Sequence, residues 1–131
     1  MKNLILIIIL AFIGIQSHAQ RGYAAVYGND GVLGKTIITL DEAKGIKGLS
    51  CFYLSPRGTI VSFEVYSFEL LVISGSDTSA FENNNGHLTN QMLAKLNALK
   101  APAKLIFEGI IAREEDSGET QSLTYIPIEV K

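Results

Sequence analysis

The chain has 131 residues, a formal charge of −2, one cysteine and two histidines. A lone cysteine excludes an intramolecular disulfide framework, and so slight a charge excludes the basic footprint of a nucleic-acid-binding protein. The length suits one domain with one hydrophobic core.

The N-terminus reads as a leader. Lys2 supplies a positive start, and Leu4 to Ile15 is an apolar run of twelve residues. Ser17-His18-Ala19 then puts small residues where a signal peptidase needs them, which predicts a signal peptide over 1–19 cut between Ala19 and Gln20. Spanning a bilayer takes about 20 apolar residues, so the run is short for a retained anchor. No cysteine follows it to carry a lipid. The expected location is therefore periplasmic or secreted, with no membrane span after cleavage and one domain over 20–131.

Beyond the leader the pattern is mostly of period two. "GYAAVYG", "KTIITL" and "LSCFYLS" are short strand candidates punctuated by glycine. Between them "DEAKGIKG" has room for one helical turn, opened by Asp41 and closed by Gly45 or Gly48. In "TIVSFEVYSFELLVISG", Val61, Phe63 and Val65 point inward, but from Phe68 the even positions Phe68, Leu70 and Val72 take over. A regular strand cannot change phase by one residue. The spacing predicts a bulge or a change of sheet near Tyr66-Ser67. "SGSDTSAFENNNGH" reads as a polar loop with a turn at Asn85-Gly86. A helix follows, capped by Thr89, with Leu88 placed to staple onto Leu93. Met92, Leu93, Leu96 and Leu99 form its apolar stripe, and Pro102 ends it.

Two strands complete the chain. Leu105, Phe107 and Ile111 are expected on one face of "KLIFEGIIA", and Ile126, Ile128 and Val130 on one face of "SLTYIPIEVK". A hairpin around Asp116-Ser117-Gly118 joins them. Pro127 lacks a donor, so the last strand should lie at an edge or turn Pro127 toward a gap in the pairing. The predicted fold is mainly β, an antiparallel β-sandwich (immunoglobulin-like or related) with one packed α-helix around residues 90–100.

Candidate chemistry is sparse. Gly28, Gly34, Lys35 and Thr36 evoke a phosphate-binding loop, but five residues separate the glycines where that loop has four. Asn29 occupies the place of the first glycine, Asp30 adds a negative charge, and "TIITL" favours a strand over the helix the motif requires. A turn between strands is the better reading. Asp41-Glu42 and Glu114-Glu115-Asp116 read as a helix start and a solvated hairpin loop. Glu64 and Glu69 are expected to face solvent. His18 leaves with the leader, so His87 and Cys51 are the one conceivable nucleophile pair. Cys51 sits in an apolar run and His87 in a polar loop. No catalytic residue, cofactor or metal site is assigned.

Several segments resemble one family. Phe63-Glu64-Val65-Tyr66-Ser67-Phe68, the helix with Leu88-Thr89, Gln91 and Leu99-Lys100, the strand from Lys104 to Ile110, and Pro127-Ile128 with Val130 occur in an order and spacing similar to the C-terminal periplasmic domain of the gliding-motility protein GldM, called PorM in related systems. The resemblance covers residues 34–131. It departs at Gly109, where the family has an acidic residue, and at Ala101-Pro102, where the family has a glycine. Full-length family members also carry a transmembrane helix and further periplasmic domains. The resemblance implies a non-catalytic protein-interaction or scaffolding domain of the cell envelope, with envelope proteins as partners and a possible place in type IX secretion or gliding. The alternative is a small exported enzyme or small-ligand-binding protein with a pocket near Cys51 and His87.

Overall fold

The structure, a computed structural model, describes residues 22–131; the expected signal peptide over 1–19 and its expected cleavage site at Ala19–Gln20 lie outside the described residues. Nine strands and two helices follow in the order β1 (Tyr23–Gly28), β2 (Gly31–Val32), β3 (Ile37–Ile38), α1 (Leu40–Lys44), β4 (Ile46–Leu54), β5 (Ile60–Ser74), β6 (Asp77–Asn83), α2 (Asn90–Asn97), β7 (Ala103–Arg113), β8 (Thr120–Leu123) and β9 (Ile126–Val130). The chain is mainly β. Its strands form one curled, mixed sheet in the order β2-β1-β4-β5-β7-β9-β3, with β6 added to β5 and β8 to β7.

The phase change in β5 is real, and β7 mirrors it. Val65 pairs with Ala112, Ser67 with Ile111 and Glu69 with Glu108. Tyr66 is thus an extra residue on β5, and one step later β7 carries an extra residue at Gly109, whose φ is +59°. The two bulges offset each other. Inward positions run Val65, Phe68, Leu70 and Val72 on one strand and Leu105, Phe107, Ile110 and Ala112 on the other, all buried. The expectation for Ile111 is therefore corrected: the bulge at Gly109 turns Ile110 inward and leaves Ile111 half-buried.

Each long strand changes neighbour at this level. Along one edge of β5, residues Ile60 to Phe63 pair with β4 and Phe68 to Ser74 pair with β6. Along one edge of β7, Ala103 to Phe107 pair with β9 and Ile110 to Arg113 with β8. "SLTYIPIEVK" is consequently two strands. β9 also lies parallel to β3, where Thr36 O accepts from Glu129 N at 2.7 Å and Ile38 O from Lys131 N at 3.0 Å. This makes the sheet mixed where antiparallel pairing alone was expected; no short turn links these two strands, so none dictates their direction. Donors alternate sides along a strand, so Pro127 faces the same side as Glu129, beyond the start of β3. Its missing N–H costs no ladder bond there.

Two further expectations are corrected. Thr39, not Asp41, caps α1: Glu42 N donates to Thr39 Oγ1 at 3.1 Å, and Thr39 N donates to Glu42 Oε1 at 3.0 Å. This reciprocal capping box takes Thr39-Leu40 out of the predicted strand. The "polar loop" contains β6, joined to β5 by the two-residue turn Gly75-Ser76, with Gly75 at φ +62°. Thr89 caps α2 as expected, Met92 N donating to its Oγ1 at 3.2 Å. Met92, Leu96 and Leu99 of its stripe are buried in one core with Phe68, Leu70, Leu105 and Phe107, and Leu93 packs at its margin.

Where β5 leaves β4, the segment before α2 fills the gap. Leu49 N donates to Gly86 O at 2.7 Å and Leu88 N to Lys47 O at 2.9 Å. The backbones approach so closely that a Cβ on Gly48 would lie 2.0 Å from Gly86 O. Neither carbonyl nor strand can yield that far. Gly48→Ala should therefore destabilise by about 1–3 kcal/mol or prevent folding, whereas Gly34→Ala, with nothing within 4 Å of its added Cβ, should stay within about 0.5 kcal/mol of wild type. Urea unfolding of both variants checks the contrast.

Candidate functional site

The glycine loop is a hairpin turn. Gly28 pairs with Gly31 across Asn29-Asp30, and Gly31 has φ +104°. Lys35 is ion-paired with Glu42 at 2.6 Å, which holds the Glu42 carboxyl below its ordinary value, with help from the Thr39 backbone N–H. The shallow cleft here, about 330 Å³, is lined by Asp30, Asp41 and Glu42 besides the loop itself. Those carboxylates repel an anion, and the chain leaves Lys35 into β3 instead of a helix. Nothing cradles a phosphate.

Cys51 and His87 are not brought together. Cys51 belongs to the core, where burial pushes its thiol up to about 11. A thiolate nucleophile needs the opposite shift. His87 is exposed on the outer side of the sheet, its Nδ1 hydrogen-bonded with the Tyr27 hydroxyl at 3.0 Å. It borders a groove of about 490 Å³ with Tyr27, Ser50, Glu64 and Asn85, and Cys51 does not line it. Among the described residues, no group of three or more His, Cys, Asp or Glu side chains is placed to hold a metal ion. No helix among them is long and apolar enough to cross a membrane.

The feature that sequence reasoning missed is β6. It has seven residues and, among the described residues, pairs on one side alone, with β5. Ser74 and Asp77 flank a two-residue turn and form its closing hydrogen-bonded pair, so Asp77, Ser79, Phe81 and Asn83 bond to β5. The N–H and C=O groups of Thr78, Ala80 and Glu82 then point away from the sheet, and all three residues are exposed. Among the described residues none of these groups has a backbone partner. The turn was legible as Gly-Ser between two alternating stretches. The strand was obscured because Phe81 is its one large apolar residue.

The edge is anchored at its far end. Asn83 Nδ2 donates to Asn85 O and Oδ1, both at 3.2 Å, and to His87 O. On the outer face, Glu82, Glu69 and Glu108 form one row across β6, β5 and β7. Glu108, hydrogen-bonded to Glu69, raises the Glu69 carboxyl above its ordinary value, with desolvation adding to the shift. No cation lies within ion-pairing distance of the row among the described residues. Two rungs along the same face, by contrast, Lys104 stands opposite Glu129.

No protein-family model matches the chain. No curated protein matches it.

A raised carboxyl value means that the folded state binds the proton more tightly than the unfolded chain does. The glutamate row costs nothing below the ordinary carboxylate range, and its cost grows as pH rises toward the raised value of Glu69. Glu69→Gln should accordingly raise the melting temperature at pH 7 and lose that advantage near pH 3.5. Native Cys51 should react with iodoacetamide on the order of a hundredfold more slowly than the unfolded chain at pH 8, because thiolate fraction and access both fall. Thermal melts at the two pH values and timed alkylation read these outcomes.

Proposed function

We propose that the protein is an exported, non-catalytic interaction or scaffolding domain of the cell envelope, and that it binds a partner protein by adding a partner strand to β6. The observation that carries this reading is the exposed row of main-chain groups at Thr78, Ala80 and Glu82. An unpaired edge is a template for another strand, and proteins that must avoid this blunt it with proline, lysine, a bulge or shortness. β6 is seven residues long and has neither proline nor lysine. β2 and β3 are two residues long and β8 is four.

The resemblance to the GldM C-terminal domain supports the same class of function. It joins the long kinked strand, the Thr89-capped helix and the final strand with Pro127 in the family's order. On that reading the parts of the sheet on either side of the bulges fold toward a sandwich of the immunoglobulin type, and the protein acts with envelope partners, with a link to type IX secretion or gliding motility. The apolar leader and the cleavage signal at Ala19–Gln20 support a periplasmic or secreted location. The alternative, an exported enzyme or ligand-binding protein around Cys51 and His87, asks for both side chains in one cleft. Cys51 lies in the core and His87 in the outer groove, so no observation favours it.

Proline at position 80 removes an N–H that points outward and leaves the β5 ladder intact. Ala80→Pro should keep the wild-type circular dichroism spectrum and lose the proteins that wild-type bait retains from envelope extracts. Thr78→Pro removes the neighbouring outward N–H and serves as a second variant. Equal retention by the wild type and both folded variants would sink the edge-binding proposal.

A further inference from the structure

The kind of strand that β6 accepts can be read from what lies beside it. Extending the sheet past β6 places a partner residue on each of three outer-face rungs. The rung of Ala80 continues Leu71, Ile106 and Pro127, and the rung of Thr78 continues Ile73 and Lys104 opposite Glu129. The first of these is apolar and the second already balanced in charge. The rung of Glu82 continues Glu69 and Glu108, and among the described residues no cation balances it. Like charges on neighbouring strands oppose pairing, and an opposite charge added to the row offsets them.

The same end of the edge carries a depression. Beside the paired bulges lies a notch of about 310 Å³, lined by Phe68 and by Ser67, Glu69, Glu82, Asn83, Asn84 and Gly109. Its carboxylates, and the side-chain oxygens beside them, are acceptors. Gly109 at φ +59° has no Cβ to fill the space. A long side chain from a strand laid on β6 would reach this notch from the rung of Glu82, and an ammonium or guanidinium group brings the several donors and the positive charge that its carboxylates accept.

We propose that the β6 edge and its notch form one binding site for an extended segment of a partner protein, apolar opposite Ala80 and bearing lysine or arginine opposite Glu82. This rests on the reading of β6 as the partner-binding edge and adds the chemistry of the occupant. A second copy of the chain is the poorer match. Antiparallel pairing centred on Ala80 sets Glu82 against the Thr78 of the other copy, which leaves three carboxylates in the row unneutralised.

Synthetic seven-residue peptides of alternating threonine and valine test this, with valine on the outward face opposite Ala80 and the outward residue opposite Glu82 set to lysine, glutamine or glutamate. The lysine peptide should bind about tenfold tighter than the glutamate peptide in fluorescence anisotropy. It should slow hydrogen exchange at Thr78, Ala80 and Glu82, and the preference should weaken as salt rises. Glu82→Lys should reverse the order of the peptides, and Ala80→Pro should abolish binding of all three. Equal affinities that Glu82→Lys leaves unchanged would overturn the cationic occupant while leaving the edge reading intact. No protection at the three amides with any peptide would overturn the edge reading itself. A dimer in sedimentation that protects the same amides without peptide would give the edge to a second copy and overturn the proposal.

Discussion

The extra residue that β5 carries at Tyr66 and the one that β7 carries at Gly109 offset each other, and most of the architecture depends on that match. A bulge on one strand alone would turn its later apolar side chains to solvent while those of its neighbour stayed inside. With both present, Val65 stays level with Ala112 above the bulges, and Leu70 with Phe107 below them, all buried. The rings of Phe68 and Phe107 meet just beneath, with centroids 6.0 Å apart. Gly109 takes the left-handed backbone that such a bulge requires, where a side chain is strained. The same local bend lets each long strand trade one neighbour for another, β4 for β6 and β9 for β8.

Parting β4 from β5 leaves a gap, and the way it closes ties the edge strand to the helix. Gly86 and Leu88 bond to Leu49 and Lys47 as a strand would, and this is possible because Gly48 presents no side chain to Gly86 O and Gly86 none to Leu49 O and Val65. The same short segment runs from the end of β6 into the cap of α2. The Asn83 side chain fastens it from the β6 side, and Leu88 and Met92 bury it from the helix side. The open edge is thus held on a packed support. A site on such a support loses less freedom on binding than one on an unanchored loop.

Electrostatics differ on the two sides of the bulges. Above them Arg113 Nε donates to Glu64 at 3.0 Å, and its guanidinium lies 5.0 Å from the centre of the Tyr66 ring. All of this is at the surface, where an ion pair contributes at most about 1 kcal/mol. Below them the glutamate row has no such partner among the described residues. A charge arrangement that opposes folding, placed beside an unpaired strand, makes sense if a partner completes it.

Much of the fold was legible in local pattern. The phase slip between Val65 and Phe68 announced a bulge, because side chains alternate faces with a period of two and a core tolerates no exception. Thr89, the leucine stripe and Pro102 marked α2 for equally local reasons. The glycine spacing in "GNDGVLGKT" argues against a phosphate loop, and the Gly28–Gly31 hairpin agrees. Tertiary structure decided the rest. Gly109 looked like one more position in an alternating strand until its pairing with β5 made it a second bulge and moved Ile110 inward. β6 looked like a polar loop, since a strand bonded on one side and buried on neither needs few apolar residues to form. The row of Glu82, Glu69 and Glu108 gathers residues from three separate strands, and register, a property of the folded sheet, is what aligns them. Local pattern specifies which way a residue faces; only the assembled sheet specifies which strangers it faces beside.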